Sequence, residues 1–317
     1  MKNSDPLGDR MKLYESVEAK RHLMPLLPAM ARLDGKCFHS FCRDLERPYD
    51  NGMSSLMVQV ATDLVNETNA CMAYTQSDEI TLCWKADSFG SQIYFNGRIQ
   101  KMVSILAALA SVRFNLLLPE FLDGKSAGAM FDCRVWNVPS EEEAANSFLW
   151  REFDATKNSI SMAARAYYSH NEVNGKNGVQ KQEMLHKKGV NWNDYPSFFK
   201  RGTYIQKRRV VRKYTCDELE KLPPRHHAHT NPDLEIDRAE ISSVEMPPFS
   251  EVVNRSAVIF DGATPVTDEI ECRKMSGLGE SIIDAMTDLH GSGLVSDIDM
   301  HEMRILCLPV DKNEEGV

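Results

Sequence analysis

The sequence predicts an α+β fold of the ferredoxin-like type, with strands and helices in the order β-α-β-β-α-β. Two stretches repeat apolar residues at helical spacing, from Met53 to Leu64 and from Ile99 to Ala110. Because a helix crosses over between the first two strands, these strands should run in the same direction, with their carboxyl ends at one edge of the sheet. The four strands are expected at residues 29–33, 70–75, 80–84 and 129–138.

Added helices and a basic strand region should surround this core. Pro25 and Pro28 end a helix expected at residues 10–23. Ser140 and Glu143 have the spacing of a capping box. Further helices are expected at 154–169, 179–188 and 279–289, and strands at 202–214, 244–248 and 257–262. The predicted organisation is a catalytic core at 1–139, a helical and basic region at 140–265 that completes the same domain, and an acidic C-terminal extension at 266–317.

Composition narrows the class of protein. The chain has 317 residues, of which 42% are hydrophobic, so it can bury a substantial core. No run of about 18 apolar residues is present, and the N-terminus has no apolar signal region, so no membrane partner is expected. Eight cysteines occur singly, with no CxxC pair. This pattern favours free thiols in a cytoplasmic protein over a disulfide framework or a zinc site.

The net charge of −9 would by itself argue against a nucleic-acid partner. The charge is unevenly distributed, however. From Tyr214 onward there are 8 basic and 22 acidic residues, a net charge of −14, which leaves +5 for the preceding residues. The acidic character therefore belongs to the C-terminal region, and the predicted catalytic part is mildly basic.

Two aspartates stand where the predicted strands end. Asp34 closes the first strand, and Asp78 lies at the tip of the hairpin that leaves the second. Carboxylates and phosphates are the ligands that Mg²⁺ prefers, and two such ions about 3.5–4 Å apart suit phosphoryl transfer. The carbonyl of Gly35 is a plausible third ligand, and Glu79 an outer or weaker one. The alternative interpretation is that both dipeptides are ordinary turns.

Residues beside Asp34 are candidates for nucleotide binding. The backbone N–H groups from Lys36 to His39 are expected to hold a triphosphate, and the Phe38 ring is expected to pack under a base. The alternative is that Phe38 is a core residue. Arg98 and Lys101 share a helix face and are candidates for the triphosphate tail, or form a solvated face.

A basic run follows an aromatic segment that includes Tyr195, Phe198 and Phe199. Phosphate contacts from such a run give salt-sensitive affinity for nucleic acid, and the aromatic rings can stack on bases. The alternative is an edge strand protected by its cations. The predicted RNA-binding residues are Lys200, Arg201, Lys207, Arg208, Arg209, Arg212 and Lys213.

Four motifs in this order resemble one known family. They are RLDGKCFHSF at 32–41, YTQSDE at 74–79, FDCRVWNVPS at 131–140 and FKRGTYI at 199–205. They are similar to the RLDGxxFHxF, YxQSDE, FDGRVxxxPS and YRKGT elements of the tRNA-His guanylyltransferases and related 3′-to-5′ polymerases. The resemblance spans about residues 10–265.

One segment departs from the family pattern. Guanylyltransferases acting on tRNA-His carry HINNLYNT after a Trp-Arg pair, whereas here residues 154–160 read DATKNSI and keep only the first asparagine, Asn158. This is similar to the guanylyltransferase-like branch, which is linked to templated addition of nucleotides at the 5′ ends of truncated tRNAs. The resemblance therefore favours templated addition, with non-templated guanylylation of tRNA-His as the alternative.

The resemblance implies a polymerase-type palm with two Mg²⁺ ions on Asp34, Gly35 and Asp78, supported by Glu79. It implies ATP activation of a tRNA 5′-monophosphate, followed by attack of the 3′-hydroxyl of GTP or another nucleoside triphosphate. It also implies a homotetramer. The nucleotide-binding residues would be Lys36, Cys37, Phe38, His39, Ser77, Arg98, Lys101, Arg134 and Asn158.

Two other classes of function fit parts of the pattern. A nucleotidyl cyclase also places aspartates on a strand and a hairpin, but it needs a GGDEF-like hairpin and the sequence here is QSDE. A non-catalytic RNA-binding palm module would use the basic run without the aspartates, and the presence of both aspartates argues against it.

Overall fold

A computed structural model describes residues 6–126, 128–231 and 233–267. Its helices are α1 Pro6–Ala19, α2 Phe38–Phe41, α3 Asn51–Thr68, α4 Ile99–Phe121, α5 Glu141–Tyr167, α6 His170–Val173, α7 Gly178–Lys187, α8 Ser197–Arg201, α9 Cys216–Lys221 and α10 Arg255–Phe260. Its strands are β1 Ala29–Gly35, β2 Met72–Gln76, β3 Glu79–Trp84, β4 Phe131–Asn137, β5 Thr203–Lys213 and β6 Glu235–Val244.

The six strands form one sheet in the order β4-β1-β3-β2-β5-β6, and every neighbouring pair is antiparallel. Since β1 and β2 both pair with β3 in the antiparallel sense, they run in the same direction, as predicted. The β-α-β-β-α-β order is confirmed by β1, α3, β2, β3, α4 and β4. The predicted ferredoxin-like topology is therefore confirmed.

The main core lies between one face of the sheet and the helices α3 and α4. Ala31 and Leu33 of β1 point into it together with Leu56 of α3 and Leu106 of α4. The opposite face is covered by α5, where Phe148 approaches Tyr204 of β5 at 6.3 Å between ring centroids. Because side chains alternate along a strand, Arg32 and Asp34 lie on the α5 face of β1.

Helix ends follow local capping rules. The Asp50 side chain accepts a hydrogen bond from the Met53 N–H at the start of α3, and Ser140 accepts one from the Glu143 N–H at the start of α5. Gly189 follows α7 with φ +74°, the left-handed conformation of a C-terminal cap. The N-cap role of Ser140, which the capping-box spacing predicts, is confirmed.

Several boundaries differ from the sequence prediction. Helix α1 begins at Pro6 and ends at Ala19, rather than covering 10–23. The two expected helices after Ser140 are one continuous helix, α5. The predicted strands at 244–248 and 257–262 are wrong, because β6 ends at Val244 and residues 255–260 form α10. The helix expected at 279–289 lies outside the described residues.

The chain divides into two compact units. One unit comprises residues 1–246 with 255–264, and the other comprises 247–254 with 265–317. In the first unit, the Gln206 side-chain amide donates to the carbonyls of Val258 and Ala263, at 2.7 and 2.8 Å. In the second unit, the Val253 N–H donates to the Val266 carbonyl at 2.9 Å.

One helix of the described residues, α4, is long and apolar enough to cross a membrane by length and composition. Its inner residues Met102, Leu106, Ala110 and Phe114 are buried in the main core. The core helix of a soluble protein passes the same test, so this is weak evidence for a membrane span.

Candidate active site

The end of β1 and the tip of the β2–β3 hairpin meet at one edge of the sheet. The Gly35 N–H donates a hydrogen bond to the Asp78 carbonyl at 3.1 Å. Asp34 is paired directly with Glu79 on β3 and with Asp132 on β4. Ser77 forms the tight turn with φ +51°. The two aspartates therefore converge as the sequence predicted.

The electrostatics at this edge suit a cation. Asp78 is half-buried, and this burial raises its pKa above the ordinary range; the negative charge of Asp34 also raises it. Hydrogen bonds from the Asp78 backbone and the Ser77 hydroxyl act in the opposite direction. A partly buried carboxylate beside a second negative charge is stabilised by a cation placed between the two.

The donors match the preference of Mg²⁺. Two carboxylates and a carbonyl are hard oxygen ligands, and Mg²⁺ commonly completes its coordination shell with water and substrate phosphate. Across the described residues there is no group of three or more His, Cys, Asp and Glu side chains arranged to hold a metal ion. A metal ion held by Asp34 and Asp78 would take its remaining ligands from water or from substrate phosphate.

Phe38 is a core residue, which contradicts the prediction that it packs under a base. Its side chain is 4% exposed, and its ring lies 5.4 Å from the ring of Phe114 and 5.1 Å from that of Phe131. The Phe38 ring therefore packs in the apolar cluster beneath β1 and is not available to a base. A Cβ atom on Gly35 would lie 2.3 Å from the Phe38 ring, so only glycine fits there.

Only some of the backbone N–H groups after β1 are available to bind a triphosphate. The Lys36 N–H already donates to the Met130 carbonyl at 2.8 Å, so the predicted use of this group is wrong. Cys37 adopts φ +59°, and its side chain is exposed. The part of the chain that the structure describes provides no hydrogen-bond acceptor for the N–H groups of Cys37, Phe38 and His39.

A cavity of about 360 Å³ reaches Ser77, the residue before Asp78, although neither aspartate is among the residues that line it. His39, Ser77 and Asn158 line it, so the structure brings together three predicted nucleotide-binding residues from three separate elements. Apolar residues including Met57 and Phe199 form other parts of its wall. A mostly apolar cavity with a few polar groups is typical of small-molecule sites.

Other predicted triphosphate ligands are not brought to this edge. Arg98 and Lys101 lie at the start of α4, on the opposite layer from Asp34. Ser111 of α4 accepts a hydrogen bond from the Phe131 N–H, so this helix residue lies at the same level as the sheet edge with Asp34. Lys101 precedes Ser111 by about 15 Å along the helix. Arg134 is closer, on the α5 face of β4, where it is 3.6 Å from Asp132.

Glu79 is held by an arginine that the sequence analysis did not select. The Arg151 guanidinium donates to both Glu79 carboxylate oxygens, at 2.6 and 2.7 Å. Burial raises the pKa of Glu79, and the charge of Arg151 opposes that rise. Since Arg151 occupies both oxygens, Glu79 fits the predicted supporting role better than a role as metal ligand. Its spacing from Glu79, 72 residues, gives no sequence signal for this contact.

Asp132 was also missed, although it lies opposite Asp34 in the β1–β4 pairing. Its signal was visible in the sequence, since Asp132 and Arg134 alternate with apolar residues along β4.

The predicted RNA-binding run lies mainly on β5. Residues 208–213 extend past β2 and pair with β6 as a two-stranded ribbon. Three of its cations are ion-paired: Arg209 with Asp237, Arg212 with Glu218 and Glu240, and Lys213 with Asp233. Lys207 contacts the Asn69 side chain, and Lys200 lies over the Trp192 ring. Three of the seven cations are therefore neutralised by acids from other parts of the chain, although the run itself contains no acid.

Comparisons with known proteins identify the family to which the chain is similar. A family model described as tRNAHis guanylyltransferase matches residues 8–139. A solved bacterial tRNA(His) guanylyltransferase (Thg1)-like protein in complex with ATP is 36% identical, with 63% of this chain and 86% of that chain covered and a TM-score of 0.60. One in complex with GTP is 31% identical, with 78% and 94% covered and a TM-score of 0.60.

A probable tRNA(His) guanylyltransferase of Drosophila melanogaster is 26% identical over 217 residues, 64% of this chain and 74% of that protein. The solved structures share the palm-like arrangement of helices on an antiparallel sheet. The fold and these similarities lead to one conclusion: the chain belongs to the tRNA-His guanylyltransferase family and is a nucleotidyltransferase.

Proposed function

We propose that this enzyme adds nucleotides in the 3′-to-5′ direction to the 5′ end of tRNA, with the opposing base as template. The observation that carries the proposal is the meeting of Asp34 and Asp78 at one sheet edge, where Gly35 bonds to the Asp78 carbonyl at 3.1 Å. The adjoining cavity is lined by His39, Ser77 and Asn158, which suits a nucleoside triphosphate. Relatives solved with ATP and with GTP support both nucleotides as substrates.

The reaction would proceed in two displacements. An oxygen of the RNA 5′-monophosphate attacks the α-phosphorus of ATP, and pyrophosphate leaves. The 3′-hydroxyl of the incoming nucleotide then attacks the adenylylated 5′-phosphorus, AMP leaves, and the hydroxyl proton passes to solvent. A 5′-triphosphate end needs no activation, because pyrophosphate is already its leaving group.

The residues of the catalytic edge have distinct tasks in this proposal. Asp34, Asp78 and the Gly35 carbonyl would hold two Mg²⁺ ions, which supply acidity to the 3′-hydroxyl and neutralise phosphate charge. Ser77 and Asn158 would orient the nucleotide from the cavity wall. Glu79 would keep the hairpin in place through Arg151.

Templated addition is favoured by two observations. Residues 154–160 lack the second asparagine of the tRNA-His-specific pattern. The identities with the bacterial Thg1-like structures, 36% and 31%, also exceed the 26% identity with the Drosophila protein. Non-templated guanylylation of tRNA-His is the alternative within the same family.

One incubation tests the proposal. The protein is mixed with Mg²⁺, ATP, all four nucleoside triphosphates and a tRNA lacking its first nucleotide, and the length and 5′ sequence of the product are read. Addition of the nucleotide complementary to the opposing base is expected. Absence of extension would reject the proposal, and addition of G opposite every base would establish the alternative.

The Asp78→Ala variant serves as the matched control. It should abolish extension but leave the affinity for tRNA within about twofold, because a single carboxylate at the metals contributes little to phosphate contacts elsewhere. If the unaltered protein also binds tRNA without extending it, the chain acts as an RNA-binding palm module.

We further propose that the protein is a homotetramer and that it is located in the cytoplasm. Light scattering would test the first proposal, and fluorescence localisation would test the second.

A further inference from the structure

A continuous chain of hydrogen bonds joins the catalytic hairpin to the cavity wall. Arg151 Nε and Nη2 donate to the two carboxylate oxygens of Glu79, at 2.6 and 2.7 Å. Nη2 also donates to Asp154 Oδ2 at 2.9 Å. Asn158 Nδ2 donates to the same Asp154 oxygen at 3.1 Å. Glu79 directly follows Asp78, and Asn158 lines the cavity, so the chain spans the site.

The buried part of this chain is held in a single geometry. Arg151 and Glu79 are 8% and 6% exposed, and the guanidinium lies 4.5 Å from the ring centroid of Trp150. Bidentate arginine–carboxylate pairs have a fixed planar geometry. A buried ion pair is weak evidence for stability, because desolvation of both charges offsets much of their attraction. We therefore assign to the Arg151–Glu79 pair the role of fixing the position of the side chains bonded to it.

We propose that Arg151 and Asp154 are positioning residues for the nucleotide. They hold the Asn158 amide at the cavity in a fixed relation to Asp78, which leaves its second N–H and its Oδ1 for a nucleoside triphosphate. The proposal rests on the function proposed above and assigns two residues to its nucleotide site. The hydrogen bonds connect residues of α5 to one another. The proposal therefore requires that a change at Asp154 affect the nucleotide through Asn158.

Double-mutant analysis tests this dependence. The dissociation constants of GTP and ATP are measured by calorimetry with Mg²⁺ for Asp154→Ala, Asn158→Ala and the double variant, together with the melting temperature. Asp154→Ala should weaken binding about tenfold, and it should have no further effect in the Asn158→Ala background, since coupled residues are not additive. Asp154→Asn retains an acceptor oxygen and should restore most of the affinity.

A matched control is available on the other layer of the fold. Asp63 of α3 also joins an amide to an arginine, with Gln59 Nε2 at 3.0 Å and Arg113 Nε at 3.9 Å, and it does not line the cavity. Asp63→Ala should leave the nucleotide affinity unchanged.

Two results would overturn the proposal. Asp154→Ala could lower the melting temperature without changing the nucleotide affinity, or the two single effects could add in the double variant. Either result rejects the positioning role of Arg151 and Asp154 and leaves the proposed function intact. Failure of the unaltered protein to bind ATP or GTP would instead reject the proposed function and this inference together.

Discussion

At Gly35 the backbone of β1 passes close over the ring of Phe38. A Cβ atom would lie 2.3 Å from ring carbon Cδ2, well inside van der Waals contact. Phe38 is fixed by Phe41, Phe114 and Phe131, so the ring has little freedom to move away. The residue after Asp34 is therefore glycine for two reasons: close packing, and the proposed approach of its carbonyl to a metal ion.

Gly35→Ala should destabilise the protein by about 1–3 kcal/mol, because the added methyl overpacks a filled core. It should also reduce nucleotide addition, since β1 must shift to relieve the clash. Urea unfolding measures the first effect. Gly178→Ala is the control, because a Cβ at that position meets no atom within 4 Å. Equal stability of the two variants would contradict the packing argument.

Asp78 illustrates how charge at a single residue affects stability. Burial, together with the charge of Asp34, raises the pKa of Asp78 above its ordinary value of 3.8. The folded state then binds this proton more tightly than the unfolded state does. Without metal, the stability contributed by this group should therefore fall as the pH rises from 3.8 through the raised pKa.

Asp78→Asn should raise the melting temperature in EDTA at pH 7, because it removes the uncompensated charge. The same substitution should abolish the gain in melting temperature that Mg²⁺ gives the unaltered protein. Thermal unfolding with and without Mg²⁺ measures both effects. An unchanged response of the variant to Mg²⁺ would show that Asp78 is not a metal ligand.

The gain from Mg²⁺ should depend on pH in the unaltered protein. It should disappear on acidification at a pH above 3.8, since protons compete with the cation for Asp78 at its raised pKa. Asp34→Asn removes the neighbouring negative charge and should lower the pKa of Asp78, which the chemical shift of its carboxyl carbon would record. No change in that pKa would contradict the proximity of the two carboxylates.

Among the elements, the β5–β6 ribbon differs most from the sequence prediction. The basic residues of β5 were expected to contact RNA, but β6, α9 and the segment just before β6 place acids beside Arg209, Arg212 and Lys213. These partners are up to 28 residues away, so local composition does not reveal them. Exposed ion pairs contribute little to stability, typically below about 1 kcal/mol, and their main effect here is to neutralise the ribbon.

Arg208 and Arg209 provide a direct comparison on this ribbon. Arg209 is paired with Asp237 at 2.7 Å, whereas Arg208 has no ion pair within the described ranges 6–126, 128–231 and 233–267. If the ribbon contacts RNA, Arg208→Gln should weaken tRNA binding and reduce the salt slope by about 1. Arg209→Gln should have a smaller effect. Filter binding across a salt series measures both, and equal effects would mean that the ion pair does not limit Arg209.

The failures in predicting elements have a physical cause. The six residues of α10 are mostly apolar, and a short apolar run does not distinguish a strand from a helix. Strand β6 carries charges at Glu235, Asp237, Arg238 and Glu240, so no regular alternation of apolar and polar residues marks it as a strand. Its pairing with the basic strand β5 is long-range information. The palm elements were predictable because their apolar spacing is regular.

At the scale of the whole molecule, charge is distributed along the chain in a way that opposes RNA binding. Residues 266–317 contain 12 acidic and 4 basic residues, so they contribute −8 of the net charge of −9. Long-range repulsion of polyanions by such a charge is screened by salt.

A chain ending at Thr267 should therefore bind tRNA more tightly than the full chain at low ionic strength, with the difference shrinking as salt is added. Circular dichroism would verify that the shortened chain is folded. Equal affinities at low salt would show that the acidic extension does not influence RNA binding.

The site was predictable to the extent that its residues end strands. The convergence of Asp34, Gly35 and Asp78 was predictable because a β-α-β-β order brings these chain segments to one edge of the sheet. Arg151 and Asp154 were not, because their roles depend on how α5 crosses the sheet. The core position of Phe38 depends on Phe114 and Phe131, which lie far away in sequence.

The most direct measurement is the anomalous scattering of Mn²⁺, as a substitute for Mg²⁺, in crystals grown with GTP. The account predicts two ions, both in contact with the carboxylates of Asp34 and Asp78, with the Gly35 carbonyl as a further ligand. Ions bound only to the nucleotide, or at any place that neither aspartate touches, would contradict it.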